Sequence, residues 1–386
     1  MNKNRQGIDE NLSAQREREG DAMAKANDLN KEHLVVPPKD ADFKGQQLDL
    51  FRTFLCNSEN ERDRLSNTFD LWDSVPRYTV SRQQMDKIRK IKGFLDLHQI
   101  EFNYRGTAMK TIIQAARIFD EKTGVSKDYY PSANEELIED ALRKIATDQQ
   151  NAFFDKPNFR SGVVFTLYTL REELKKRSHT RSYQQIVLSL QILASSIIEI
   201  RGEGKTSGFA KSAYFSGLSA VSRNKLIDDP DAKWMVQFHP LVTQEIDALT
   251  YRQYNYAQMM SHSNQLSRWL HKQLSLKFTF ASILTPFEIR YSTIKRDSSL
   301  LEGYGLERKA IAALDASWDE LKSVGVLMKV DKNPVLGARG KIEDVVYTLT
   351  PSSDFSAEMK AANKRKQIAE EQKTSSEKLP TDSKNR

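Results

Sequence analysis

The chain has 386 residues, enough for two or three folded units with tails at roughly 100 to 200 residues per domain. With 39% hydrophobic residues, 29% charged residues and a net charge of +7, it reads as a well-hydrated protein, and no run approaches the ~18 apolar residues that a membrane span needs. The start, MNKNRQGIDENLSAQ, lacks the apolar stretch of a secretory signal, and the lone Cys56 allows neither an internal disulfide nor a cysteine zinc site, so a reducing cytoplasm with no membrane partner is the expected setting.

Residues 1–45 are polar, mixed in charge and broken by Pro37 and Pro38, which reads as a disordered arm. Residues 46–66 form a linker that carries the pentapeptide Gln47-Leu48-Asp49-Leu50-Phe51. Residues 67–133 hold a strand at Phe102–Tyr104 and a basic stretch from Arg77 to Lys92, and read as an N-terminal extension packed on the first folded unit.

That unit, 134–250, opens with a helix whose Leu137, Ile138, Ala141, Leu142 and Ile145 recur at helical spacing, with Glu135 and Glu136 suited to its N-terminus. A β-branched run, Val163 to Thr166, follows. Next come a short basic helix from Leu170 to Arg177, a turn, and a long helix from Ser182 to Ser196. The apolar Ile197 to Ile200 enters a basic hairpin, Arg201 to Gly208, with a returning strand near Ser212 to Ser222. A strand at Trp234–Phe238 and a helix from Leu241 close the unit.

The second unit, 251–350, repeats the order. It has a helix from Asn264 to Leu274, an extended stretch at Phe287–Arg290, a short helix near Ser292–Ser299, and a long helix from Glu307 to Ser323 stopped by Gly325. Two strands, Val326–Val330 and Val345–Leu349, flank a basic loop, Lys332 to Lys341. Helix, strand, helix, turn, long helix and two-stranded wing is the order of a winged helix. The expected fold class is therefore α+β: two tandem winged-helix domains with disordered N- and C-terminal tails, the last being the charged segment 351–386, which offers no apolar face.

Several motifs carry or imitate chemistry. Gly204-Lys205-Thr206 looks like the end of a phosphate-binding loop, but Glu199 stands where such a loop needs its first glycine, and Ser207-Gly208-Phe209 suits a hairpin better than a helix. The six histidines show no HExxH pattern, and His262 and His271 are nine apart, so no metal is expected. Glu135, Glu136 and Glu139 read most simply as a solvated face. Nothing requires an enzyme, a catalytic residue or a cofactor.

Basic residues near the two long helices are the functional candidates, because a cation at a helix N-terminus opposes the dipole unless it is to meet an anion. The unit spanning 251–350 holds 14 basic and 10 acidic residues, against 15 and 15 for 134–250. In the second unit the candidates are Arg290, Lys295 and Arg296 ahead of the helix, Arg308 and Lys309 in its first turn, and Lys332, Arg339 and Lys341 on the wing. In the first they are Lys175, Lys176, Arg177 and Arg181, leading into Ser182, Gln184 and Gln185 for base edges, with Lys205 and Lys211 as wing cations. Ile192, Ile197 and Ile198 read as core, with a dimer face as the alternative.

The pentapeptide Gln47 to Phe51 resembles the QL(S/D)LF motif by which bacterial replication proteins dock on the β sliding clamp, with Leu50 and Phe51 filling a pocket, Leu48 adding contact and Gln47 hydrogen-bonding at its rim. Over about residues 46–350 the chain resembles plasmid replication initiators of the tandem winged-helix, TrfA-like kind. The resemblance rests on QLDLF at Gln47–Phe51, YRG at Tyr104–Gly106, NEELIEDAL at Asn134–Leu142, VVFTLYTLREEL at Val163–Leu174, HSNQLSRWLHKQL at His262–Leu274 and the block from Glu288 to Leu327. It implies a protein that binds origin direct repeats (iterons) in double-stranded DNA, opens an adjacent A·T-rich segment, and engages the host clamp, DnaA and the replicative helicase, with a homodimer as a further form. A tandem winged-helix transcriptional repressor is the alternative. A strand-nicking initiator would need a tyrosine with a histidine metal pair, which the sequence does not show.

Overall fold

The computed structural model describes residues 59–377 apart from 121–122, 148–150, 204–207, 222–228 and 230. The pentapeptide Gln47 to Phe51 and Lys205 lie outside the described residues.

The extension begins with helix α1 (Glu59–Arg64) and strand β1 (Leu65–Phe69). Helix α2 (Arg82–Lys92) starts at a capping box between Ser81 and Gln84 and ends at Gly93 in the left-handed region. Two hairpins follow, β2 (His98–Tyr104) with β3 (Thr107–Gln114), and β4 (Ala116–Asp120) with β5 (Val125–Tyr129).

The first winged helix has lead helix α3 (Ala133–Ile145), strands β6 (Ala152–Asp155) and β7 (Arg160–Thr166), helix α4 (Leu167–Lys176) and long helix α5 (Tyr183–Ser195). Strands β8 (Ile197–Glu203) and β9 (Phe209–Ala213) come next, then β10 (Phe215–Val221), β11 (Lys233–Phe238) and helix α6 (Pro240–Ala248). Strand β12 (Tyr251–Asn255) pairs with β1, and helix α7 (Tyr256–Met260) leads to the second unit.

The second winged helix has lead helix α8 (Gln265–Lys277), strand β13 (Phe287–Arg290), helix α9 (Tyr291–Ser298), long helix α10 (Glu307–Ser323), and wing strands β14 (Leu327–Leu336) and β15 (Ile342–Pro351). A final helix, α11, runs from Ser353 to Glu377.

Sheet order identifies the wings. In the second unit it is β13-β15-β14, so the strand before the helix pair lies beside the last wing strand. The first unit has the same arrangement in β7-β11-β10, with β6 added beyond β7. Its wing is therefore β10 and β11. The β8–β9 hairpin, which the sequence suggests as the wing, is an insertion that extends β2–β3 into a separate sheet of order β2-β3-β8-β9. The expected single returning strand breaks at Tyr214, buried to 1% exposure, where the chain passes from one sheet to the other.

Gly162 sits where β7 meets β11 so closely that a Cβ would lie 2.0 Å from the Val236 carbonyl oxygen. Gly325 takes φ +82° after α10, with the Val326 amide donating to Leu321 O, the C′ role expected of it.

Two apolar cores result. One gathers residues from Leu65 to Met260, so the extension and the β12–α7 segment belong to the first unit; the other runs from Leu266 to Met359. Ile192 and Ile198 are fully buried in the interior, so they offer no dimer face. The C-terminal segment departs from its expected disorder, because Phe355 and Met359, each 1% exposed, pack α11 into the second core. No helix among the described residues is long and apolar enough to cross a membrane.

Candidate nucleic-acid interface

In the second unit, α10 buries Ala310, Ile311, Leu314, Ser317, Trp318 and Leu321 and leaves Arg308, Lys309, Ala312 and Ala316 exposed along the opposite stripe. This face starts with two cations and continues with methyl groups, so the helix axis can come close to the floor of a groove. The side chains of Arg308, Lys309 and the wing-tip Lys341 have no ion-pair or hydrogen-bond partner among the described residues.

The other candidate cations of this unit are engaged. Lys295 pairs with Glu307 at 2.9 Å and holds that carboxyl below the usual range. Arg290 lies 3.6 Å from Asp344, which also accepts from the Ser292 amide at 3.0 Å and so caps α9. Arg296 pairs with Asp297 at 2.7 Å, and Asp297 accepts from the Asn103 amide of β2 at 3.1 Å, tying the helix pair to the inserted sheet. Lys332 pairs with Asp315 at 2.6 Å, while Tyr347 donates to the same carboxylate at 2.8 Å; together they brace the wing against α10. Arg339 lies in the short turn between the wing strands.

The first unit presents a different face. Ser182 and Gln185 form a capping box, the Gln185 amide donating to Ser182 Oγ at 3.2 Å and the Ser182 amide to Gln185 Oε1 at 2.9 Å. Gln184 remains exposed, and one stripe of α5 continues through the half-buried Leu188 to the exposed Gln191 and Ser195. Gln191, Ala312 and Ala316 join the candidates only in the structure. The signal was available as their spacing on the polar face of each long helix.

Cations of the first unit largely serve its own architecture. Lys176 reaches Asp63 of α1 at 2.6 Å, and Arg177 holds Asp63 at 3.2 Å and Glu173 at 3.1 Å. Arg181 Nε donates to Asn134 Oδ1 at 2.6 Å, and Lys175 lies 3.4 Å from Glu172. Lys211 pairs with Glu199 at 3.3 Å on the inserted hairpin, in a separate sheet from the β10–β11 wing. The Gly202 amide donates to Gly208 O at 3.0 Å across that hairpin, where a nucleotide-binding loop would lead into a helix.

The carboxylates of α3 correct the sequence reading. Glu135, Glu136 and Glu139 are not a solvated face but 0%, 4% and 3% exposed. Glu139 accepts from Trp72 Nε1 at 2.6 Å and from Arg77 at 3.0 Å, and Glu135 accepts from Ser189 of α5 at 2.6 Å. Arg77 and Arg143 both hold Asp73, at 2.9 Å and 2.7 Å. Burial alone would raise the Asp73 carboxyl, but Arg143, Lys272 and Arg77 outweigh it and keep it far below the usual range.

His262 and His271 also meet, their Nε2 and Nδ1 lying 3.0 Å apart. Burial pushes both below the usual imidazole range, His262 to about 4, so the pair is neutral and structural. Among the described residues no group of three His, Cys, Asp or Glu side chains is placed to hold a metal ion.

No protein-family profile matches the sequence, and no curated protein matches it significantly. Among solved structures the chain is similar to a selenomethionine derivative of domains 2 and 3 of RctB, at 10% identity over 72% of this chain and 97% of that one, with a TM-score of 0.47. A second structure of RctB domains 2–3 matches at 10% identity over 76% and 99%, TM-score 0.45. The Pi initiator protein, crystallised in complex with iteron DNA, matches at 12% identity over 57% and 91%, TM-score 0.39.

Proposed function

We propose that this chain is a sequence-specific, double-stranded DNA-binding replication initiator that recognises direct repeats at an origin, opens an adjacent A·T-rich segment and recruits host replication proteins. The observation that carries the reading is the exposed face of α10, whose first turn presents the unpartnered Arg308 and Lys309 beside a wing ending in Lys341. A first turn rich in cations opposes the helix dipole and is offset when phosphates or guanine edges lie in front of it. The uncharged stripe of α5, with Gln184 and Gln191, supplies amides suited to adenine. Two such helices in one chain can enter successive major grooves about 34 to 36 Å apart on one face of the duplex.

Binding along an array of repeats would strain the neighbouring DNA, and flexible TA steps yield first. No covalent chemistry is required. The clamp arm is the segment Gln47 to Phe51, whose match to the docking pentapeptide gives the replisome half of the proposal, with DnaA and the helicase as further partners.

The test is a titration of the protein against duplex DNA flanking its own gene and against scrambled duplex, repeated at several salt concentrations. A specific excess of at least ~10³ is expected. Equal affinity for both duplexes contradicts origin recognition. In a separate titration of purified clamp, Leu50→Ala with Phe51→Ala is expected to abolish binding while repeat binding survives. Clamp binding unchanged by the double substitution, or absent in the parent, removes the replisome half.

A further inference from the structure

The apolar cores of the two winged-helix units do not merge; charged and amide side chains bridge them at the lead helices. Lys272 of α8 crosses to α3, where it meets Glu136 at 2.8 Å and Asp140 at 3.1 Å, and its side chain is 3% exposed. Arg143 carries the chain of contacts onward, joining Asp140 to Asp73 at 2.7 Å each. Two amides of α8 complete the bridge: Gln273 Nε2 donates to the Asp73 carbonyl at 2.9 Å, and Gln265 Nε2 donates to Glu136 Oε2 at 2.9 Å.

An apolar seam between two domains tolerates small slides, because hydrophobic contact has no direction. A buried charge cluster does not. Displacing Lys272 by a few ångströms would strand its ammonium in the interior and leave Glu136 without its cation, Asp140 keeping only Arg143, so the cluster selects one arrangement even if it adds little net stability. Helices α3 and α8 are the elements on which the two recognition helices pack, α5 against α3 and α10 against α8. Fixing the lead helices therefore fixes the distance and angle between α5 and α10.

We propose that the cluster of Lys272 with Glu136 and Asp140 is a register lock between the units, and that Lys272 is a positioning residue setting which half-site spacing the protein accepts on DNA. The second clause rests on the DNA-binding reading above; the lock itself does not.

The test has two arms. In the first, without DNA, spin labels are placed on Gln191→Cys and Ala316→Cys in a Cys56→Ser background, and their separation is measured by pulsed electron resonance. The full chain is expected to give a single narrow distance. Lys272→Met combined with Glu136→Gln and Asp140→Asn, which leaves no charge unpaired at the bridge, is expected to broaden it at least twofold while circular dichroism is unchanged. A broad distribution in the parent, or an equally narrow one in the folded triple variant, overturns the lock. If the triple variant does not fold, the single Gln265→Ala, which removes one amide of the bridge, is read in its place, with broadening expected and no change overturning the proposal.

In the second arm, unlabelled proteins are titrated with duplexes carrying the footprinted repeat, its two halves moved apart by one to three base pairs. The parent is expected to lose at least tenfold in affinity on the shifted duplexes and the triple variant less than threefold. Equal discrimination by both overturns the positioning role. A parent that shows a narrow distance but binds no repeat leaves the lock standing and defeats the DNA-binding reading instead.

Discussion

Arg308 and Lys309 stand where helix electrostatics disfavours a cation, and the surrounding acids are spent elsewhere, Glu307 on Lys295 and Asp315 on Lys332. Replacing either by alanine is expected to weaken specific binding by about 1 to 3 kcal/mol if it reads a base, or to lower the salt slope by about 1 if it meets only phosphate. Affinity unchanged at every salt concentration would contradict the assignment. Glu245 adds a pH-dependent contribution to stability. Burial pushes the Glu245 carboxyl up to about 7, although it accepts from the amides of Leu71 at 2.7 Å and Trp72 at 3.0 Å. The folded protein then keeps a proton that the unfolded chain has lost, so this group's stabilisation is full below the unfolded value of 4.5 and declines as pH rises to 7. Between pH 5 and 7 the contribution is expected to fall by about 2 kcal/mol. Urea unfolding of the parent against Glu245→Gln checks this, the variant lacking that decline.

The second winged helix was legible in its order of six parts, which follow one another without insertion, from the apolar stripe of α10, the stop at Gly325 and the alternation in β15. Its wing strands, however, run on to Leu336 and back to Ile342, so Lys332 lies inside β14 rather than in the expected Lys332–Lys341 loop. The first was legible only in order. Its β8–β9 hairpin has the apolar entry and basic tip of a wing, and its true partner, β3, lies far back in the extension, where no local pattern points to it. The carboxylates of α3 failed as a prediction for the same reason, since the lysine that meets Glu136 is 136 positions away. Helix α11 left a readable trace that the surrounding charges mask: Phe355, Met359, Ala362 and Ala369 fall on one helical face and are all buried. Phe355→Ala is expected to destabilise the second unit by about 3 to 5 kcal/mol, read as a loss in urea midpoint. An unchanged midpoint would return the segment to the status of a tail. Gly162→Ala, which drives a methyl into the Val236 carbonyl, is expected to lower the melting temperature of the first unit by several degrees, as about 1 to 3 kcal/mol of overpacking requires.

At the scale of the whole molecule two long helices of unlike character are held in one frame, α10 charged at its start and α5 neutral along its exposed stripe. The sequence carried the tandem order and, on the two long helices, the exposed Gln184, Arg308 and Lys309. It did not carry the division of labour, because whether a cation is free depends on acids brought to it by the fold, such as Asp63 to Lys176 and Arg177. The most direct measurement is hydroxyl-radical footprinting of full-length protein on the DNA flanking its own gene. The account expects repeated pairs of protected segments one helical turn apart on a single face of the duplex, with the segment assigned to α10 losing protection in the Arg308→Ala, Lys309→Ala protein. Protection that is absent, or uniform and unrelated to any repeat, would contradict it.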